Sequence, residues 1–179
     1  MNDVLGIAPP PPKVEKSPVI IGLIPCWNRF FLDPAWTVVR PGVQEIAQIS
    51  PDEFDAQFVW QQIYTGQFQL YLSYIDRTGT ATEDRFQEMF VEKLRKPEVD
   101  FAGFAIIDVM RRHSIHVFGV YIMPEFRGKN LWDLGVDYIE RQIKSIGAKC
   151  ITSSVQPYAL EAMKRRGYEA YTMNVRKNI

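Results

Sequence analysis

Residues 115–146 constrain this chain more than any other stretch. IHVFGVYIM (115–123) is an apolar run rich in β-branched and aromatic residues, the composition of a strand. It stops at Pro124, and the apolar spacing then changes period. Leu131, Leu134, Tyr138, Ile139, Ile143 and Ile146 recur as one face of a helix, closed by Gly147. Between the two lies only Pro124-Glu-Phe-Arg-Gly-Lys129, so the strand turns almost directly into the helix. A turn of that kind presents unpaired backbone N–H groups at a helix start, where the dipole favours an anion.

The flanking pattern predicts the rest of an α/β domain. Pro18–Ile24 has strand composition, with the proline marking an edge. Ser50-Pro-Asp-Glu53 predicts a helix start, Ser50 as cap and Glu53 completing a capping box. Phe54, Phe58, Val59 and Ile63 follow at helical spacing, and Gly66 supplies the stop. Residues 67–75 alternate as a strand, and Phe86, Met89, Phe90 and Leu94 mark a helix ended by Pro97. FAGFAIIDVM (101–110) is a further strand, joined to 115–123 by a turn at residues 111–114. Cys150–Ser153, Pro157–Arg165 and Tyr168–Val175 read as strand, helix and strand. The order from residue 67 is β-α-β-β-α-β-α-β, a mixed sheet with helices on its faces. The domain spans residues 18–179: a helical part over 18–66, with a cap made from 34–66, and a sheet core over 67–179.

Composition narrows the function classes. The 179 residues suffice for one domain with a sizeable core. Twenty-one basic residues balance twenty-one acidic ones, which argues against a broad nucleic-acid surface. No apolar run is long enough to span a bilayer, and the opening stretch lacks the pattern of a signal peptide. The expectation is an intracellular, non-secreted protein. Cys26 and Cys150 make neither a disulfide framework nor a zinc site, and Cys150 reads as a buried thiol. Residues 1–17 form an extended arm around the run Pro9, Pro10, Pro11 and Pro12, either a spacer or a segment that lies on a partner.

On Ile122-x-Pro124-x-x-Arg127-Gly128, the hairpin before it and the helix–strand–helix–strand series after it, residues 67–175 resemble the Gcn5-related N-acetyltransferase (GNAT) superfamily. The resemblance implies a GNAT-like mixed central sheet flanked by helices. It also implies an acyl-CoA site in which Ile122, Arg127, Gly128, Lys129, Asn130 and Leu131 hold the cofactor, the backbone amides of 127–131 receiving its diphosphate. The chain departs from the family at three places. Asn130 and Trp132 stand where the motif has its later glycines, and a Cβ there obstructs close approach of a diphosphate. Asn tolerates the left-handed backbone, whereas Trp132 blocks the site unless its indole turns aside onto the sheet. Phe118 stands where many relatives carry a glutamate base, and Met163 where they carry the tyrosine that protonates the leaving thiolate. Gln156, Ala159 and the Gly167-Tyr168 pair follow the family pattern in part.

Removing one positioned acid or base typically costs about 10²–10⁴ in rate. The three departures together therefore predict a catalytically degenerate GNAT-fold protein, a binding or structural component with no cofactor expected. The alternative is an active N-acyltransferase using acetyl-CoA or CoA thioesters. Three short segments resemble GNAT-like proteins of tailed bacteriophages, some of them virion-associated: Gly66-Gln-Phe-Gln69-Leu70-Tyr71, Gly147-Ala-Lys-Cys-Ile151, and Arg165-Arg-Gly-Tyr168 leading to Lys177. That resemblance implies a place in the virion or the host cytoplasm and a protein partner, met through the arm and the aromatic first third (Trp27, Phe30, Phe31, Trp36, Phe54, Trp60).

Among other candidates, His113 reads as a solvated turn residue. His116, on a strand face with Phe118 and Val120, is a half-buried structural histidine and the best substitute base. Asp108 marks a strand edge, a turn or a substrate contact, and Lys164-Arg165-Arg166 a solvated helix end. No metal-ligand spacing stands out.

Overall fold

A computed structural model describes residues 19–50, 54–77, 82–95, 100–109, 114–128, 130–154 and 157–170. The order is β1 (Val19–Ile24), α1 (Arg29–Ile49), α2 (Ala56–Tyr64), β2 (Phe68–Ile75), α3 (Phe86–Lys93), β3 (Phe101–Asp108), β4 (Ser114–Ile122), α4 (Leu131–Ser145), β5 (Cys150–Ser153) and α5 (Pro157–Arg165). The five strands pair in chain order, antiparallel except for the parallel pair β4–β5. This is the mixed, helix-flanked α/β sheet that the pattern predicts. The arm over 1–17, His113, Pro97, Lys129, Gln156 and the end of the expected last strand lie outside the described residues, and Tyr168–Ala170 form no strand.

The sheet separates two cores. On one face Leu32, Val39 and Val43 of α1, Val59 and Ile63 of α2, and Phe86 and Phe90 of α3 pack on Leu70, Leu72, Phe104 and Ile106. On the other, Tyr138, Ile139 and Ile143 of α4 pack on Tyr71, Ala105, Ile107, Ile115 and Val117. The central strand β3 is covered on both faces, which is why FAGFAII is continuously apolar rather than alternating. Ile146 completes the predicted α4 face in sequence yet is exposed, because the helix ends at Ser145 and Ile146 is its C-cap.

The first third corrects one expectation. Ser50 ends α1 rather than starting a helix, its N–H bonded to the Ile46 carbonyl. The start of α2 is capped by Asp55, whose carboxylate accepts from the Phe58 N–H at 2.7 Å. Helix α1 runs through Pro34 and Pro41, which hide it from local pattern reading. Burial of its apolar stripe outweighs the hydrogen bonds those prolines remove. Cys150 is exposed rather than buried, since it opens the short outer strand β5.

Gly103 sits where β3 and β4 approach most closely; a Cβ there would lie 2.2 Å from the Tyr121 carbonyl oxygen. Gly103→Ala is expected to cost about 1–3 kcal/mol of stability by overpacking, read as a lowered urea midpoint.

Candidate functional site

The site grows out of β4. Its pairing with β3 continues to Gly103↔Ile122, but its pairing with β5 ends at Val117↔Ser153. At the parting point the β3 register moves from Ile107↔Val117 to Ile106↔Gly119, so Phe118 is the extra residue of a bulge. Beyond it the two strands separate and β4 keeps one backbone edge open. The Met123 N–H donates to Ala102 at 3.0 Å, so strand alternation sets the backbone groups of Val120 and Ile122 on the open side.

A short 3₁₀ turn over Pro124–Phe126 then carries the chain to α4. Gly128 (φ +80°) and Asn130 (φ +61°) both take the left-handed conformation, which lets the turn bring the start of α4 to the open edge. Asn130 thus supplies the backbone freedom of the glycine it replaces. Its side chain does not cap the helix, so the N–H groups of the first turn stay available. The Arg127 N–H is already used by the Pro124 carbonyl at 3.2 Å, which leaves, among the described residues, the donors of Gly128, Asn130 and the first turn of α4. Asp133 in that first turn would repel an anion, but Arg166 pairs with it at 2.9 Å. Arg166 also pairs with Asp137, and Tyr168 donates to Glu140 at 2.9 Å. Within the basic cluster at the end of α5, Arg166 is therefore a clamp onto α4, whereas Lys164, paired with Glu161 of its own helix, and Arg165 are exposed as the sequence indicates.

Trp132 takes the exception that the sequence left open. With Val19, Ile21, Val120, Ile122 and Gly135 it lines a cavity of about 50 Å³ between α4 and the sheet. Its Nε1–H is buried there without a hydrogen-bond partner.

The two positions at which the resemblance would place a base and an acid hold apolar side chains. Phe118 packs between Phe54 (ring centroids 4.8 Å) and Phe68 (4.7 Å), and Met163 is buried. His116 pairs with Asp108 across β3–β4, and its Nδ1 lies 3.0 Å from Thr152 Oγ1. No cluster of three or more His, Cys, Asp or Glu among the described residues could hold a metal. No helix among them is long and apolar enough to cross a membrane.

Two residues that sequence reading passed over join the site. Glu45 of α1 accepts from the Tyr121 hydroxyl at 2.6 Å and from Arg127 Nη2 at 3.0 Å. Arg127 Nε also donates to the Ile122 carbonyl at 3.1 Å. The hydrogen bonds from Tyr121 and Arg127 hold the Glu45 carboxyl below its ordinary value. Burial, and then Glu45, push the Tyr121 phenol up. No local pattern marks Glu45, because only the tertiary fold brings α1 beside the turn.

No protein-family model matches the sequence, and no curated protein matches it. Solved structures do. An aminoglycoside acetyltransferase from an uncultured soil metagenomic sample, in complex with trehalose, superposes with TM-score 0.59 at 7% identity, over 90% of this chain and 97% of that one. A Trypanosoma brucei acetyltransferase gives 0.55 at 11%, over 90% and 99%. The aminoglycoside acetyltransferase AAC(6')-Iy, in complex with the bisubstrate analog CoA-S-monomethyl-acetylneamine, gives 0.54 at 14%, again over 90% and 99%. The fold is that of the GNAT acetyltransferases.

Burial, and then the hydrogen bond to Glu140, push the Tyr168 phenol up to about 12 from its ordinary 10.0. Between those values the unfolded chain releases a proton that the folded chain keeps, so stability falls as pH rises through that window. The denaturation midpoint is expected to drop from pH 10 to 12, and less steeply in Tyr168→Phe. Tyr71 and Tyr121, also shifted up, leave a residual slope.

Proposed function

We propose that this chain binds an acyl-coenzyme A along β4 and transfers its acyl group to an amine. The observation that carries the reading is the turn into α4. Gly128 and Asn130 are both left-handed, the helix start is uncapped, and the Trp132 indole lies beneath the helix. These residues fit a diphosphate, which the first-turn N–H groups and helix dipole would hold. Solved structures of this fold support the same reading, one of them with a CoA-containing bisubstrate analog.

The cofactor supplies a thioester whose carbonyl an amine nitrogen can attack, forming the amide as the C–S bond breaks. The chain's part is mainly placement. The backbone of Val120 and the Ile122 N–H would orient the pantetheine arm, the Ile122 carbonyl being already taken by Arg127. Phe118, packed on the face that α1 and α2 cover, excludes water there, and neither it nor Met163 takes or gives a proton. The amine therefore arrives as its free base or loses its proton to water, and the thiolate leaves with a proton from solvent. His116, tied to Thr152, is the ionisable β4 side chain nearest the bulge in sequence.

Isothermal titration with acetyl-CoA should show micromolar affinity, weakened about tenfold or more in Gly128→Val, which strains the left-handed turn. Absence of binding to a folded wild-type protein would refute the reading. Across a panel of amines, kcat/KM should climb with pH toward each amine's own pKa and stay the same in His116→Gln. A plateau near neutral pH that disappears in that variant would make His116 the base.

A second reading is favoured by the aromatic packing of Phe118 and the burial of Met163. It is a binding component without turnover, engaged with a protein partner through Pro9–Pro12 and the aromatic first third, in a phage particle or the host cytoplasm. Two exposed aromatics, Trp27 and Phe30, offer such a partner contact area. No acetyl-CoA binding to the folded protein, and no CoA released across the amine panel, would favour this reading.

A further inference from the structure

We propose that Glu45 is a positioning residue for the cofactor turn, acting through Arg127; this rests on the acyl-CoA reading above. Arg127 belongs to the turn that leads into α4, on one side of the sheet, whereas Glu45 belongs to α1 on the other. Their contact is a bridge around the end of β4. The carboxylate is used on both oxygens, Oε1 by Arg127 at 3.0 Å and Oε2 by Tyr121 at 2.6 Å. The guanidinium is held at two further points. Its Nε donates to the Ile122 carbonyl at 3.1 Å, and its carbon lies 5.6 Å from the Tyr121 ring centroid. A planar, multidentate donor held this way has one orientation.

Among the described residues, the turn's backbone bonds, Phe126 N–H to Met123 and Arg127 N–H to Pro124, close the 3₁₀ segment, and Arg127 carries the chain on from it. Past Arg127, Gly128 and Asn130 are exposed, and a Cβ built on Gly128 would meet nothing within 4 Å. The N–H groups of Gly128, Asn130 and the first turn of α4 are thus aimed by where Arg127 is fixed. Arg127 in this arrangement is a staple, its charge taken by Glu45, and it is not the group that receives the phosphates. Tyr121 adds the link to the sheet: its ring stacks on Phe104 of β3, so the bridge is referenced to the sheet centre.

Glu45, Arg127 and Tyr121 are all partly open to solvent, and exposed ion pairs contribute little to global stability. A positioning role therefore separates from a structural one. Glu45→Ala should leave the thermal midpoint near that of the wild type, raise the acetyl-CoA Kd about tenfold, and raise KM with kcat little changed. Glu45→Gln, which keeps the acceptor for Tyr121 and a carbonyl for Arg127, should recover part of the affinity. Arg127→Lys should not, lacking the fork. The Glu45→Ala/Arg127→Ala double variant should be no worse than either single one, since both remove the same bridge. Unchanged or tighter acetyl-CoA binding in a folded Glu45→Ala protein would overturn the proposal, the tighter result meaning that a freed Arg127 binds phosphate directly. A readout without ligand separates this proposal from the acyl-CoA reading. Amide hydrogen exchange over residues 123–131 should speed up in Glu45→Ala while β2 and β3 stay protected. If wild-type protein binds no acetyl-CoA yet the exchange changes as described, only the acyl-CoA reading falls; unchanged exchange removes the bridge itself.

Discussion

The arrangement of this molecule depends on β4 being shared unequally between its neighbours. Toward β3 it is paired to its end, and toward β5 only over Ser114–Val117. A bulge at Phe118 absorbs the mismatch by adding one residue and local twist, which splits the sheet without breaking its core. The open backbone edge, the turn that follows and the placement of α4 all descend from that split. An edge left open in a sheet is ordinarily a liability. Here it is short and ends at a turn fixed by an ion pair.

The electrostatics around α4 follow from the same placement. A helix start that faces an open edge carries partial positive charge and unpaired donors. Asp133 would cancel that field, but Arg166 brings compensating charge from the end of α5. Arg127, which opens the turn, is occupied by Glu45. Among the described residues, Asp133 and Arg127 beside the helix start are thus both paired, and the backbone donors stand beside them. Recognition by backbone amides tolerates sequence change at the turn as long as the left-handed positions survive, and Asn130 shows how one survives without glycine.

The face covered by α1 and α2 has another character. Phe54, Phe68 and Phe118 form a chain of rings against the β4 bulge, and Trp36 stacks near Trp60 on the helices above. Such packing is rigid and dry, and it offers no proton acceptor at the bulge. Chemistry on this side would rest on orientation and desolvation more than on acid–base groups.

Much of this was legible in the chain. Alternation over 67–75, the double-sided apolar run at 101–107 and the change of period after Pro124 are local signals, and each became the expected element within a residue or two. The positive-φ role of Asn130 was also readable, because it follows from the residue's own backbone preference. Contacts between distant segments were not. Helix α1 was obscured by Pro34 and Pro41, whose local cost is overcome only once Leu32, Val39 and Val43 reach the sheet. The Glu45–Arg127 bridge and the Arg166 clamp join residues far apart in sequence, with no periodicity to announce them. The direction of the Trp132 side chain was decided there too. From sequence it stood at the mouth of the turn, and in the fold it lies under α4, because burying a large apolar ring against the sheet outweighs the one indole N–H left without a partner. Sequence by itself set the elements and their order through local backbone preference. The tertiary structure alone decided whether the turn stayed open, since that depended on which space a side chain could fill.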